Sequence, residues 1–557
     1  MRNAGRLLLP IGTTNYKKIC DNYYYVDKTL MIKDILDEGT EISLFTRPRR
    51  FGKTLNMDML RTFFEKQEED TSRYFTDKKI WQQGEAYTKH QGKYPVIYLS
   101  LKDANKLTWP DLYARLIETI RDEFFRHSEL NDSPKISNTE FYKKIIAGQA
   151  TEAEYSISIL RLSRMLREHY GQSVILMIDE YDTPIQAGYI NGFYNEAIQF
   201  IRDLFSSALK DNDNLAFGFL TGILRVAKES IFSGLNNIYV YSVLDDKFSD
   251  YFGFTDMEVK QLVHYYALDD KLAEIKEWYD GYRFGEVEIY NPWSVLSYLK
   301  NGCKAIPYWV QTSSNSTINT ILRNLDGETY QKLKDIINGK AISSIVSTNV
   351  IYPELKDRSA NIFGFLLMTG YLKSSRTNFT MRGNILCDLC IPNKEIENVY
   401  YNEILSQLAD GVSINTTNVL SEALLHKDDV LLKQSLNKFL LETISFYDTL
   451  NENYYHGLLL GMTVIFAHDY YISSNRESGL GRYDIMLVPK QAGLPGIVIE
   501  VKSTDKSSSA SLKALASRAL AQINTNKYDA ELVKQGVKLI YKYGIAFSGK
   551  QAEIMTN

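Results

Sequence analysis

Apolar positions in the first half of the chain fall into two alternating patterns. Short, near-continuous apolar runs of strand length occur at 41–46 (EISLFT), 95–101 (PVIYLSL), 173–178 (SVILMI), 215–220 (LAFGFL) and 238–243 (IYVYSV). Longer stretches in which apolar residues recur every three or four positions separate most of them, for example 111–127 and 157–169. Strands that are apolar on both faces, alternating with amphipathic helices, predict a parallel sheet covered on both sides.

Past residue 255 the pattern changes. Positions 256–279 have helical periodicity, and the chain to residue 440 reads as mainly helical, interrupted at Asn291-Pro292 and by the polar stretch 312–317. From 441 a third pattern appears: a helix near 452–466, then strands at 470–474, 483–488 and 496–501. A Ser-rich turn, an Ala-rich helix at 512–523 and a strand within 537–547 follow. The expected fold class is therefore α/β in three segments, 1–253, 254–440 and 441–557.

The 557 residues exceed what one core supports. With 44% hydrophobic and 24% charged residues, wholesale disorder is excluded. A net charge of -4 argues against bulk coating of nucleic acid but permits a local basic face. Residues 470–557 carry 12 Lys and Arg against 7 Asp and Glu. Four cysteines (Cys20, Cys303, Cys387, Cys390) are too few for a disulfide framework, which points to a reducing cytoplasm. No apolar run reaches the ~20 residues of a membrane span, so no membrane partner is expected. The apolar part of MRNAGRLLLP is too short for a signal peptide.

Candidate chemistry begins at TRPRRFGKTL, residues 46–55, between a predicted strand and a predicted helix. Gly52-Lys53-Thr54 is the second half of a Walker A loop. The glycine admits phosphates close to the backbone, the lysine reaches the outer phosphates, and the threonine hydroxyl can ligate Mg²⁺. The first glycine of the full motif would fall at position 47, which is Arg47. SVILMIDE, residues 173–180, is a strand ending in two acids, the Walker B pattern: Asp179 for Mg²⁺ and Glu180 to polarise the attacking water. Thr221 ends the next strand, where a polar side chain can sense the γ-phosphate. Arg225 follows, either as added positive charge or as a surface ion pair.

These segments carry a resemblance. LPIGTTNYKKICDNYYYVDKT (9–29), RPRRFGKT (47–54), MIDEYDTPI (177–185), FSGLNNI (232–238), YDGYRFG (279–285) and YNPWSV (290–295) resemble the predicted AAA-ATPase-like family of gut and anaerobic bacteria. The resemblance implies a P-loop (ASCE/AAA-type) ATPase that binds and hydrolyses ATP with Mg²⁺. The nucleotide would be bound by Arg49, Arg50, Phe51, Gly52, Lys53, Thr54 and Leu55, with Asp179, Thr221 and Arg225. The arginine-rich loop without its first glycine is itself the family pattern. Arg49 and Arg50 then either contact phosphate by charge-assisted hydrogen bonds or form ion pairs within the loop.

A second constellation lies near the C-terminus. Gly481-Arg482-Tyr483-Asp484 opens one strand and IVIEVK, residues 497–502, forms the next. Strand alternation puts Glu500 and Lys502 on one face, within reach of Asp484 on a neighbour. Two acids suit Mg²⁺ or Mn²⁺, and a lysine can orient water attacking phosphorus. Together with NENYYHGLLLGM (451–462), SNRESGLGRYDIML (474–487) and ALAQI (519–523) before Tyr528, this is similar to the PD-(D/E)XK nuclease superfamily, a restriction-endonuclease-like α/β domain. The resemblance implies Asp484, Glu500 and Lys502 as catalytic and metal residues. It adds Glu452 and Gln522 as auxiliary groups or plain surface residues, and Arg482 as a phosphate contact or a surface ion pair.

Cys387 and Cys390 have zinc-knuckle spacing without a second pair, which favours ordinary strand cysteines. Glu452 and His456 share a helix face at i, i+4, and read as a structural polar pair. The leading expectation is nucleotide-gated, metal-dependent cleavage of nucleic acid, DNA ahead of RNA, by a cytoplasmic and optionally homo-oligomeric protein. The alternatives are a regulatory ATPase switch whose nuclease-like domain binds without cutting, and a C-terminal domain that serves protein interaction.

Overall fold

The structure, a computed structural model, describes residues 6–557 apart from 138, 227–236, 310–326, 338, 351, 356–358, 401–413, 444–451, 464–465, 467–468, 475–476, 480 and 505–508. The polar stretch 312–317 and most of the 232–238 motif lie outside the described residues. The chain forms two units, Met1–Asn398 and Val399–Asn557.

In the first unit, the five apolar runs become β1 (Ile42–Thr46), β2 (Val96–Ser100), β3 (Val174–Asp179), β4 (Leu215–Gly222) and β5 (Ile238–Tyr241). They form one parallel sheet in the order β2-β3-β4-β1-β5. Every residue of β1 and β3 is buried, as strands covered on both faces require. Register aligns the carboxyl ends: Thr46 pairs with Gly222, and Ile178 with Leu220. Asp179 therefore stands level with Thr221. Loops leaving this edge of a parallel sheet are where ligands bind in open α/β folds.

The flanking helices follow from their sequences. Trp109–Arg126 starts where the Thr108 hydroxyl accepts the Asp111 N–H, with Pro110 in the first turn. It buries Leu112, Leu116, Ile120 and Phe124, one residue per turn on a single stripe. Glu123 is buried beside that stripe and joins a network. It accepts from Arg126 at 2.6 Å and from the Tyr98 N–H at 2.7 Å, and Arg126 also pairs with Glu65. Glu65 is bridged by Arg61 at 3.0 Å. The network fastens β2 to the far end of the helix α1 (Lys53–Phe64).

Past β5, the predicted helical stretch resolves into Asp256–Tyr265, opened by a Thr255/Glu258 capping box, and Leu272–Tyr279. Asn291 accepts from the N–H groups of Trp293 and Ser294 and so starts Pro292–Lys300. The middle of the chain is mainly helical, and it also contains a hairpin, Tyr282–Phe284 with Val287–Ile289, and a three-stranded antiparallel sheet. Its strands are Ile342–Val346, Lys373–Phe379 and Ile385–Cys390; Lys373–Phe379 (KSSRTNF) is polar at every position but the last, so no apolar run marks it. Cys387 is buried in the last of them and Cys390 half-buried, as strand cysteines. No helix among the described residues is long and apolar enough to cross a membrane.

The second unit carries the helix α2 (Glu452–Thr463) and a mixed sheet of β6 (Tyr470–Ser474), β7 (Ile485–Pro489), β8 (Gly496–Ser503), β9 (Ile540–Ser548) and β10 (Gln551–Thr556), adjacent in chain order. Only β8 and β9 pair in parallel, and the crossover between them holds the helix α3 (Ser509–Thr525). Its alanines have a steric cause. A Cβ on Gly544 of β9 would lie 2.3 Å from the Ala516 carbonyl, so helix and strand meet backbone to backbone. Ile497, Ile499 and Val501 pack on the α2 side with Tyr455 and Leu459, whereas Val498 packs with Ile523 and Tyr528 on the other. Glu500, two residues from Val498, shares the α3 face.

The buried network gives the first prediction. Burial alone raises a carboxyl, but the Arg126 guanidinium more than offsets it and holds Glu123 at about 2. A depressed folded pKa stabilises above the unfolded value and is lost as pH falls through the folded one. Glu123→Gln should cost about 3 kcal/mol at pH 7. In chemical unfolding, the gap from wild type should close as pH drops from 4.5 towards 2; a gap that stays constant would exclude this role.

Candidate nucleotide site and metal centre

The chain leaves β1 at Thr46 and returns as α1 at Lys53. Gly52 (φ 84°) and Arg50 (φ 72°) adopt left-handed backbone, so the turn is sharp. Arg47, at the place of the absent first glycine, is fully buried. Its guanidinium donates to the carbonyls of Thr46 (2.9 Å), Tyr241 (2.7 Å) and Phe248 (3.2 Å), and lies 5.0 Å over the Phe252 ring and 5.2 Å over Phe284. Burial lowers its pKa to about 9. Arg47 is thus an internal strut that ties the loop to the segment after β5. Phe51 is the second anchor, fully buried edge-on to Tyr282 at 4.9 Å. Both side chains are held in the core, and residues 48–50 form the loop between them.

Lys53 curls back so that Nζ donates to the carbonyls of Arg47 and Pro48, both at 2.9 Å. Burial lowers its pKa, opposed by Glu180, Asp182 and Asp179. Arg49 donates to Gln186 Oε1 at 3.0 Å, and its carbonyl accepts the Trp309 indole N–H at 3.2 Å. Arg50 is exposed and lies 4.1 Å over the Trp293 ring. Leu55 is half-buried in the first turn of α1.

The acid side meets the loop directly. Thr54 Oγ1 donates to Asp179 Oδ2 at 2.8 Å, and the Thr221 hydroxyl donates to Asp179 Oδ1. Thr221 Oγ1 also accepts the Glu180 N–H at 3.3 Å. Glu180 has φ 56°, costly for a residue with a Cβ, at the end of the acid strand. Burial raises its pKa, with Lys53 opposing. The hydroxyl–carboxylate pair of Thr54 and Asp179 fits a divalent ion that accompanies nucleotide.

Asp182 carries a role the sequence reading did not assign. Its Oδ2 accepts the N–H groups of Ile223 (2.9 Å) and Leu224 (3.0 Å), while Tyr181 donates to the Leu224 carbonyl at 2.5 Å. This pair clamps the turn that follows Thr221, and a Cβ on Gly222 would lie 2.5 Å from the Tyr181 ring. The one available signal was a third acid within MIDEYD. Arg225 lies past this turn, half-buried, its backbone paired with Asn349.

In the second unit, Ile485 pairs with Ile499 in antiparallel register, which puts Asp484 opposite Glu500. Asp484 Oδ2 accepts the Val501 N–H at 2.6 Å. Glu500 is 2% exposed, and its Oε1 accepts from Gln522 Nε2 (2.6 Å) and Lys502 Nζ (3.1 Å). Its Oε2 is buried with no hydrogen-bond partner among the described residues. Burial, then the Asp484 charge, raises Glu500 to about 7 against Lys502. Gln522 is braced by Tyr528, whose hydroxyl accepts from Gln522 (3.1 Å) and Asn526 (2.9 Å). His456 Nε2 lies 3.1 Å from the Asp484 carbonyl and 3.0 Å from Ser474 Oγ. His456, Asn526 and Tyr528 are thus supports that spacing alone did not assign. Arg482 is exposed on a two-residue strand opposite Glu477. Glu452 opens α2, and its side chain lies outside the described residues.

Among the described residues no three His, Cys, Asp or Glu side chains gather around one point. The side chains that Asp484 and Glu500 offer are two carboxylates, which suits Mg²⁺ or Mn²⁺, ions that retain several waters. A buried carboxylate oxygen without a partner, on an acid reluctant to ionise, is what a carboxylate lacking its cation presents.

Residues 10–232 match the family model described as predicted AAA-ATPase, and residues 450–557 match the PD-(D/E)XK nuclease superfamily. A relative from Azotobacter chroococcum mcd 1, called an uncharacterized protein in the vnfD 5′ region, is 26% identical over 488 residues. The match covers 86% of this chain and 81% of the relative.

The Glu500 environment makes metal binding pH-dependent. A proton must leave a carboxyl that titrates near 7, so Mn²⁺ affinity should fall about tenfold per pH unit below that point and level off above it. Calorimetric titration without nucleotide measures this, and Glu500→Gln should abolish both the affinity and its slope.

Proposed function

We propose that this chain, in which a predicted AAA-ATPase domain precedes one of the PD-(D/E)XK nuclease superfamily, is an ATP-dependent nuclease. In this reading ATP binding and hydrolysis in the first unit regulate metal-dependent cleavage of nucleic acid, DNA ahead of RNA, by the second. The observation that carries the cleavage reading is the orphaned oxygen of Glu500 beside Asp484 and Lys502.

At the nucleotide site, Lys53 already faces two loop carbonyls that phosphate oxygens would replace as acceptors. Thr54 and Asp179 would hold Mg²⁺, which supplies charge neutralisation when bound. Glu180, its pKa raised by burial, is suited to take a proton from water. Thr221 touches both Asp179 and the Glu180 backbone, and so links a contact in the phosphate site to the acids.

At the second site, Asp484 and Glu500 would hold the divalent ion, which supplies Lewis-acid stabilisation to the phosphodiester when bound. Lys502 holds its ammonium 3.1 Å from Glu500 Oε1, available to charge developing on phosphorus. Gln522 keeps Glu500 oriented through Oε1, which leaves Oε2 for the ion.

Two sets of variants test the halves separately. Lys53→Ala should weaken ATP binding by about tenfold or more, whereas Glu180→Gln should retain ATP and slow turnover by roughly 10²–10⁴. Normal ATP affinity in the first, or normal turnover in the second, would remove the assigned roles. Lys502→Ala should keep Mn²⁺ and lose cleavage; Asp484→Asn should lose both. The deciding assay incubates labelled single- and double-stranded DNA and RNA with Mg²⁺ or Mn²⁺, with and without ATP. Absence of cutting under every condition, with metal still bound, would reassign the second unit to binding without cleavage.

A further inference from the structure

The strands Lys373–Phe379 and Ile385–Cys390 form a hairpin whose two ends differ in kind. It lies between the two regions that the family models match. Its base is fixed. Cys387 and Leu389 are fully buried, the Arg283 guanidinium donates to the Ser375 carbonyl, and Ser375 Oγ donates to the Asp388 carbonyl at 3.1 Å. The register shifts between Ser374 and Arg376, where Ser374 Oγ donates to the Arg376 carbonyl at 2.9 Å. Such a bulge bends and twists the strand, and here its outer half leaves the core.

The far end is tied but uncovered. Gly383 (φ 77°) donates its N–H to the Thr380 carbonyl, and Thr380 to the Asn384 carbonyl, both at 2.9 Å, which closes a tight turn. Yet every residue from Ser375 to Asn384 except Thr380 is exposed. Phe379 is 74% exposed and Met381 fully so. A hairpin that only shielded a sheet edge would end in polar residues; this one ends in an aromatic ring and a thioether. Its charge is equally one-sided. Residues 373–387 hold Lys373, Arg376 and Arg382 and no acid, in a chain whose net charge is -4. The first acid, Asp388, stands opposite Arg376 in register and accepts the Ser343 hydroxyl.

We propose that this hairpin is a wedge for nucleic acid with accessible bases, a single strand or the open end of a duplex. The proposal rests on the nucleic-acid reading of the second unit and adds a contact made by the first. Apolar and aromatic side chains carried on a firm tip stack on bases or enter between them. Arg376 and Arg382 bracket Phe379 and Met381 in sequence and suit the phosphates on either side. Thr377, Asn378 and Asn384 add exposed hydrogen-bonding groups around the apolar pair. Two apolar side chains within a cationic, hydrogen-bonding surface fit a polyanion with flat bases; a lipid interior or an apolar protein groove calls for a larger apolar face.

Fluorescence anisotropy on the full chain tests this, in the Glu500→Gln background to prevent cutting, with Mg²⁺ and with or without ATP. The probes are a labelled oligothymidine, the same strand made abasic, and a blunt duplex. Phe379→Ala with Met381→Ala should weaken oligothymidine about tenfold, keep the salt dependence, and have no effect on the abasic strand. Arg376→Ala with Arg382→Ala should weaken all three probes and lower the slope of log Kd against log salt by about one. Melting temperature and ATP turnover should be unchanged in both. Wild-type affinity for oligothymidine in the tip variant, or an equal penalty on the abasic strand, would overturn the wedge and leave the nuclease reading intact. No binding of any probe, either in this background or by the unsubstituted chain in EDTA, would overturn the nucleic-acid reading itself. Binding to phosphatidylserine vesicles that the tip variant loses would then assign the tip to a membrane instead.

Discussion

A buried guanidinium sets the shape of the loop between β1 and α1. Removing a full charge from water costs several kcal/mol unless hydrogen bonds replace its hydration. Arg47 meets much of that requirement with three backbone carbonyls and two aromatic faces, while its Nε is buried without a hydrogen-bond partner among the described residues. Those carbonyls come from the end of β1, the end of β5 and the segment beyond it. Satisfying one side chain therefore fixes three pieces of backbone relative to each other. With Phe51 buried on the other side, the loop between them has little freedom, and Lys53 can bridge its carbonyls from the start of α1.

Glu500 is the opposite case. It too is a charged group taken out of water, but its hydrogen bonds reach only one of its oxygens. Its Oε2 has no hydrogen-bond partner among the described residues, and a second carboxylate, Asp484, stands opposite it across the strand pair. The guanidinium spreads its contacts over three carbonyls and two rings and so acts as a scaffold. The carboxylate has contacts on one oxygen only, and the proposed metal site rests on the other.

The segment after β5 belongs to the first unit in more than connectivity. Tyr282 and Phe284 pack on Phe51, Trp293 carries Arg50, and Trp309 bonds the Arg49 carbonyl. The loop thus has its conformation imposed by residues more than two hundred positions later as well as by its own turn residues. Glu395 extends the same bracing to the helix Lys394–Val399. Any change in the loop must be accommodated by these packed aromatic contacts, which have few alternative arrangements.

Apolar runs were enough to locate all five strands of the parallel sheet; β1 and β3 are apolar because both faces are buried, whereas the edge strand β5 keeps an apolar run although Tyr239 is exposed. Alternation was enough to put Glu500 and Lys502 on one face, and the acids after β3 were legible as a strand-end pair. Sequence by itself determined these features because each depends on neighbours within a few residues. That Arg47 braces the core, that Asp182 clamps the turn after Thr221, that His456 meets the Asp484 carbonyl and that Tyr528 braces Gln522 were decided only by tertiary structure. Two of the three Arg47 partners lie 194 and 201 residues away, and those of Asp182 41 and 42. The role of a polar side chain is set by whichever groups share its desolvated surroundings, and folding, not spacing, brings those groups together.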